Sequence, residues 1–402
     1  MVHRGLRIAI LGDSKDVHVR RWCAGLAARG LEVWNICNPL PTEPERGVGY
    51  LEFRVPDFDL RRPHRRPVRF RRYLQELFHR FDIIHMHNLH NWGLDESMTS
   101  CGRLIVSTYG GDVLPARIPP RGREPVVDQN EHTARMKRQA LALADHITAT
   151  SAFLADATSD YADIPRGQIE VIHFGVDTDL FLPQRVDRTP PGRVGYCGGF
   201  RPNKGADIFI EAAPLVRKHF PSCLFDLYGT GYRRTQLEAL VKNRGQQHAI
   251  RFHDFVPHDR LPETIDTFDL LAVPSVCAQE SYCVMAVEAQ AMQVPVVASS
   301  IGGLPDTIRH GRTGLLVEPA SPQALADGLC ELLGDEEKRR SLGRAARQWV
   351  KARHNWSDSL DRMIAAYERV MSGYSRRKTG ETIAPGADCT PAERVPAQTA
   401  RG

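Results

Sequence analysis

The 402-residue chain is 42% hydrophobic and 25% charged, with a net charge of +5 at neutral pH. That balance excludes a disordered polyampholyte, and a charge this modest gives no argument for nucleic acid. The length exceeds what a single hydrophobic core usually serves and predicts two domains. Nine cysteines, an odd number with no CxxC pair, read as free thiols in a reducing compartment. No apolar run approaches the 18 or so residues a membrane span requires. The first such run, Leu6 to Leu11, is short and followed by Asp13, Lys15 and Asp16, which does not suit a secretory leader. The expected location is cytoplasmic, with a peripheral place at the inner membrane face as the alternative.

In chain order, 6–11 (LRIAIL) reads as a buried strand that Gly12-Asp13-Ser14 turns into a helix over 16–29. Gly30 ends the helix and LEVWNI begins a second strand, the opening of a parallel α/β sheet. Further strands are predicted at 82–86, 103–108, 146–150 and 169–172, with an amphipathic helix at 128–144. Residues 183–192, PQRVDRTPPG, form a linker. The alternation then restarts, with strands at 193–197, 223–228, 249–252, 269–273, 295–299 and 314–317. Helices are expected at 205–219, 232–243, 283–292 and 322–333, and helical sequence again from Asp335 to Met371. The division that follows is 1–182, the linker 183–192, 193–355, a helix over 356–372 returning to the first domain, and a disordered tail at 373–402.

Two carboxylates and two cations stand out. Glu280 and Glu288 lie eight residues apart in ESYCVMAVE, and Glu288 sits among Val284, Met285, Ala286, Val287, Ala289 and Ala291. A carboxylate is rarely placed in such surroundings without a partner. Upstream, YCGGFRPNKG carries Arg201 and Lys204 behind Gly198 and Gly199, which let a backbone approach a ligand closely. Arg and Lys suit a diphosphate, and carboxylates accept hydrogen bonds from hydroxyl groups. If the chain is helical from Ser281 onward, eight residues rise about 12 Å. That is roughly the span from hexose to ribose across a pyrophosphate.

The stretch 269–318, with its ordered PS, paired Glu, PVVAS, GGLPD and GRTGLLV, resembles the retaining glycosyltransferases of family 4 (glycosyl transferases group 1). VIHFGVDTDLF and YCGGFRPNKG extend the likeness, which covers roughly 6–370. The resemblance implies the B-type glycosyltransferase fold, α/β with two facing Rossmann-like domains and a cleft between them. It implies that Arg201, Lys204 and Glu280 are catalytic, the cations binding the donor diphosphate and steadying its growing charge. Glu280 would face the transferred sugar, and the amides of Ser281, Tyr282, Cys283 and Val284 would lie at a helix start. Glu288 would hold the ribose. Gly12, Gly198, Gly199 and Gly229 are counted with the donor-binding set, although a tight turn explains Gly229 about as well.

In the N-terminal domain, STYGGDVLP puts Tyr109 where the family often has His. A Tyr can donate to a sugar hydroxyl but is a poor base near neutral pH. Asp112 either meets the acceptor or fixes its loop. HMHNLHN carries His85, His87 and His90, and the resemblance favours a cleft-lining or structural role, with His87 on the cleft, over a metal site. No metal and no cofactor are expected. Gln293 stands where the family commonly has Gly at a helix end, so a different local turn is expected. Cys283 replaces a Gly beside the sugar and could narrow the pocket. The basic run 61–74, with seven Arg, is a solvated loop or a patch for an acidic acceptor or an anionic membrane face.

The function expected is transfer of a hexosyl group from a nucleoside diphosphate sugar to an acceptor hydroxyl with retention. UDP-sugar is the first choice and GDP-mannose the second. A nucleotide-sugar epimerase and a silent nucleotide-sugar-binding protein are the alternatives. The acceptor is left open among a saccharide, a lipid-linked saccharide and a small natural product.

Overall fold

The computed structural model describes residues 5–37, 40–52, 79–89, 103–114, 131–184 and 192–373. The basic run 61–74, His90, most of the linker and the tail beyond 373 lie outside them.

Among the described residues the chain builds two all-parallel sheets. The first takes β1 (Arg7–Leu11), β2 (Glu32–Cys37), β3 (Val48–Glu52), β4 (Ile83–His87), β5 (Arg103–Thr108), β6 (His146–Ala149) and β7 (Ile169–Val171). Their order is β3-β2-β1-β4-β5-β6-β7. The second takes β8 (Arg193–Cys197), β9 (Leu224–Tyr228), β10 (Ile250–His253), β11 (Leu270–Val273), β12 (Val296–Ser299) and β13 (Gly314–Val317), in the order β10-β9-β8-β11-β12-β13. Short apolar runs buried on both faces are what a parallel sheet covered by helices demands.

The first sheet is covered by α1 (Val17–Ala28), α2 (Glu131–Leu143) and α3 (Ala152–Ala162). The second carries α4 (Ala206–Arg217), α5 (Arg234–Asn243), α6 (Leu261–Asp266), α7 (Val284–Ala291), α8 (Leu304–Thr307), α9 (Pro322–Gly334) and α10 (Glu336–Arg353). Side-chain caps start several of them: Asp16 accepts from the His18 amide, Ser151 from Leu154 and Asp335 from Lys338.

The last helix, α11 (Trp356–Met371), returns to the first sheet. Trp356 meets Trp22 edge-on with centroids 4.7 Å apart, Arg29 pairs with Asp361, and Glu170 binds Arg362 and Arg369. The helical stretch after 335 is therefore two helices, broken at His354, with Asn355 capping the second. Both chain crossings between the sheets run side by side. The Val176 amide donates to the His354 carbonyl at 2.7 Å, and Trp356 donates back to Val176 at 3.0 Å.

Gln293 does adopt the left-handed conformation, with φ 57°, so the expectation of an altered turn is corrected. The Gln293 amide donates to Gln290 and the Val294 amide to Ala289, the two bonds of a Schellman ending. These bonds satisfy the last carbonyls of α7 and offset the cost of a non-glycine residue there.

Arg347 on α10 ties three segments together. Its guanidinium donates to the carbonyls of Thr178, Phe181 and Ala291, joining the first crossing to the end of α7. Arg347→Ala is expected to lower unfolding stability by about 2–3 kcal/mol, because three carbonyls lose a charged donor. Urea denaturation followed by circular dichroism measures this, and an unchanged midpoint would show that the clamp is dispensable.

Candidate active site

In each sheet the strand order reverses at one place, between β1 and β4 and between β8 and β11. Loops leaving the carboxyl ends of the two strands diverge there, opening the crevice in which α/β sheets take ligands. Arg201 and Lys204 follow β8, while Glu280 follows β11. The two sheets present these edges to each other. Ser281 Oγ donates to the Tyr109 carbonyl at 2.6 Å, and Asp306 accepts from the Phe153 amide at 2.8 Å in the first turn of α3.

At the reversal, Lys204 Nζ lies 2.8 Å from Glu280 Oε2, which also accepts from Ser275 Oγ at 2.8 Å. Burial would raise the Glu280 carboxyl, but the Lys204 charge and these hydrogen bonds outweigh it and hold the group below its ordinary 4.5. Burial likewise pulls the Lys204 ammonium down, and Glu280 more than restores it, to above 10.5. Lys204 and Glu280 were expected at separate points of a ligand, and the structure joins them. Arg201 is exposed and has no side-chain partner among the described residues.

Glu288, only 3% exposed, accepts from or pairs with His258 Nε2 through Oε1 at 2.9 Å. For both glutamates one carboxylate oxygen is held by a protein group. The other, Glu280 Oε1 or Glu288 Oε2, has no partner among the described residues. The helix carrying Glu288 begins only at Val284. Glu280 therefore sits in the preceding loop, and the rise of a straight helix does not describe the separation of the pair.

The glycines around this site serve close packing. Gly205 has φ 67°, and a Cβ there would stand 1.9 Å from the Pro274 carbonyl oxygen. A Cβ on Gly303 would stand 1.8 Å from the Ser281 carbonyl oxygen, so the GGLPD turn braces the Glu280 loop from behind. Gly12 packs on Val19 and Gly229 on the Gly198 carbonyl, whereas a Cβ on Gly199 would make only ordinary contacts, 3.8 Å from Arg201 and the Thr230 carbonyl oxygen. Neither α4 nor α7 has a side-chain cap, which leaves first-turn amides of both free of one.

Other expected site residues take different places. Ser281 spends its amide on Gln279 and its hydroxyl on Tyr109. The Tyr282 ring stacks on His173 and its hydroxyl meets His354 Nδ1, so the side chain turns toward the chain crossing. Cys283 is buried at the N-cap of α7, and burial pushes its thiol up to about 12. Asp112 is 2% exposed and accepts from the amides of Leu89, Tyr109 and Gly110, which fixes the loop.

His87 is fully buried and does not line the cleft in this structure, a correction to the expectation. Its Nδ1 bonds the Tyr109 hydroxyl and its Nε2 faces His85 Nδ1 at 3.2 Å. His85 continues to Tyr367 and Ser107, both at 2.7 Å. Burial lowers His87 to about 3 and His85 well below 6.5, so both rings are neutral. With their nitrogens already engaged, neither offers a free metal ligand. His18, which the sequence did not single out, also faces this region: its ring stacks on Phe174, with centroids 4.0 Å apart.

Breaking the Lys204–Glu280 pair from the cation side should be costly. Lys204→Met leaves a buried carboxylate and is expected to cost roughly 2–3 kcal/mol, less than for a fully buried pair because Lys204 is partly exposed. Adding Glu280→Gln should recover part of that loss. The contribution of the pair is complete between the ordinary values of 4.5 and 10.5. It falls as acid passes the lowered Glu280 value and as base passes the raised Lys204 value. Denaturation of the single and double variants at pH 7 checks the coupling, and strict additivity would show none.

Comparison with known proteins follows the same division. Glycosyl transferases group 1 matches residues 182–349, and Glycosyltransferase Family 4 matches 16–180. A D-inositol 3-phosphate glycosyltransferase of Corynebacterium urealyticum is 31% identical over 239 residues, 55% of each chain. A GDP-mannose-dependent alpha-(1-6)-phosphatidylinositol monomannoside mannosyltransferase of Mycobacterium tuberculosis is 31% identical over 220 residues, 51% of this chain and 57% of that one. The chain thus spans little more than half the length of these relatives. Sucrose-phosphate synthase from Thermosynechococcus elongatus superposes with a TM-score of 0.74 at 21% identity, over 92% of this chain and 100% of that one. Anabaena HepE, solved with UDP and glucose, gives 0.72 at 18% identity over 90% and 99%. At those identities the likeness establishes the fold alone. Matched in both halves and sharing this two-sheet architecture, the chain belongs to the glycosyl transferases group 1 and has the B-type glycosyltransferase fold.

Proposed function

We propose that this protein transfers a hexosyl group from a nucleoside diphosphate sugar to an acceptor hydroxyl, with retention at the anomeric carbon. The observation that carries the reading is the pair of buried glutamates, each with one oxygen held and the other without a partner among the described residues, together with the exposed Arg201 near Lys204. Arg201 would meet the diphosphate, together with Lys204, whose ammonium has donors beyond the one given to Glu280. Glu280 Oε1 would accept from a hydroxyl of the transferred sugar, and Glu288 Oε2 from the ribose. The uncapped helix starts of α4 and α7 suit the same anionic ligand.

In this reading the acceptor attacks from the face that the diphosphate is leaving. The glycosidic C–O bond breaks toward the diphosphate, and one of its oxygens takes the acceptor proton. UDP-sugar remains the first choice of donor and GDP-mannose the second. UDP is named in the HepE structure, and GDP-mannose in the name of the mycobacterial relative. The inositol phosphate and phosphatidylinositol named in the relatives make a polar polyol or its phosphate the first acceptors to try.

Donor screening by slow hydrolysis, then NMR of the anomeric proton in the product, tests the reaction. An inverted product would overturn retention, and a changed donor sugar released without acceptor would identify an epimerase. With the donor known, Arg201→Ala is expected to lower kcat by about 10²–10³, the loss of one preorganised stabiliser of developing charge. Activity should persist in EDTA because the cationic side chains take the place of a divalent ion. A loss that magnesium restores would refute that. Glu288→Gln should weaken binding of the free nucleoside diphosphate, whereas Glu280→Gln should chiefly lower transfer. Equal effects on nucleotide affinity would show the two ends to be misassigned.

A further inference from the structure

His18 lies on α1 of the N-terminal domain, near enough to Glu288 to feel its charge, and neither ring nitrogen has a hydrogen-bond partner among the described residues. It stands in the first turn of α1, its ring flat on Phe174 with 10° between the planes. Phe174 meets Tyr109 and Tyr282 edge-on, so the stack is braced by residues of both sheets. Stacking fixes the imidazole plane and uses neither nitrogen. Nδ1 is enclosed without a hydrogen-bond partner, and Nε2 has none among the described residues. By contrast, His85 and His87 each have both nitrogens engaged.

The tautomer follows from that asymmetry. An enclosed N–H with no acceptor costs more than an enclosed lone pair, so the neutral ring carries its proton on Nε2. Burial lowers the imidazole below its ordinary 6.5; Asp16 and Glu288 pull it up, while Arg21 and His258 push it down. The ring is therefore neutral at pH 7, with one N–H donor on its open side. Arg21, one turn along α1, also feels the Glu288 charge, and its guanidinium lies over the Trp356 ring at 4.6 Å. The residues of α1 that feel the Glu288 charge are thus a neutral donor and a cation.

A carboxylate can only accept hydrogen bonds, while a ribose hydroxyl both donates and accepts. Glu288 satisfies the hydroxyl protons and leaves the hydroxyl oxygens without a donor. We propose that His18 supplies it, Nε2–H donating to a ribose hydroxyl oxygen whose proton goes to Glu288 Oε2, so that the nucleotide is clamped from both domains. The proposal rests on the reading of Glu288 as the ribose carboxylate and adds the N-terminal half of that subsite.

Calorimetric titration with UDP and GDP, and with the 2′,3′-dideoxy form of whichever binds more tightly, tests it. His18→Ala is expected to weaken the ribonucleotide about five- to tenfold and to leave the dideoxynucleotide nearly unchanged, a difference of about one hydrogen bond. His18→Gln, whose amide N–H reaches close to the Nε2 position, should recover most of the loss. Equal weakening of both nucleotides by His18→Ala would assign His18 a structural role and overturn the proposal. If His18→Ala binds the ribonucleotide as the unaltered protein does while Glu288→Gln weakens it, the proposal is wrong and the ribose reading of Glu288 stands. If neither substitution matters, both fall.

Discussion

A charged carboxylate can stay in a protein interior only beside a positive charge and hydrogen-bond donors, and Glu280 meets that condition through Lys204. The two residues are 76 positions apart. What joins them is the strand order of the second sheet, which sets β8 beside β11 and sends their loops to opposite sides of one crevice. Much else is subordinate to this contact. Gly205 permits the turn after Lys204 to approach Pro274, Ser275 provides the second donor, and Gly303 lets the next loop press on Ser281. An anionic ligand entering here meets a lysine already oriented, with its charge partly spent on Glu280. Arg201 is exposed and has no side-chain partner among the described residues, so its charge is not spent on a neighbour there.

The two sheets are held by contacts of two kinds. Near the paired crossings the contacts are apolar and extensive: α11 packs Trp356 and Leu360 on Gly25 and Trp22 of α1. At the carboxyl edges hydrogen bonds from Ser281 to Tyr109 and from Phe153 to Asp306 are joined by ring contacts of Tyr282 with His173 and Phe174. Each such bond contributes only about 1 kcal/mol net.

The strands were legible because an apolar run of four to six residues between turn residues has few other uses in a parallel sheet. β3 escaped because VGYLE is short, alternating and at the sheet edge. α3 escaped because AFLADATSDYA has weak periodicity, although Ser151 before it, which caps the Leu154 amide, was a capping residue in the sequence. The site glutamates were legible as carboxylates in apolar company. Their partners were not: His258 reaches Glu288 across 30 positions, and Lys204 reaches Glu280 through strand order. His18 was hidden for the opposite reason. A lone histidine on an amphipathic helix carries no signal until the structure shows that nothing satisfies it.

The chain of neutral groups behind Tyr109 bears on where the acceptor proton goes. Burial, with Asp16 close by, raises the Tyr109 phenol well above 10, and its hydroxyl is committed to His87. His87 and His85 are neutral and stay so through the physiological range, since burial lowers both. Tyr367, at the end of the chain, is also held protonated by burial. A general base works best with a value near the working pH, and no member of this row has one. Asp112 is occupied by three backbone amides. None of these groups is ready to take a proton from an acceptor. In the proposed reaction the departing diphosphate gains negative charge as the glycosidic bond lengthens, and it becomes more basic at the moment the acceptor must be deprotonated. The leaving group itself is then the base best matched in timing, which is why a half-buried tyrosine can stand beside the cleft without being a chemical handicap.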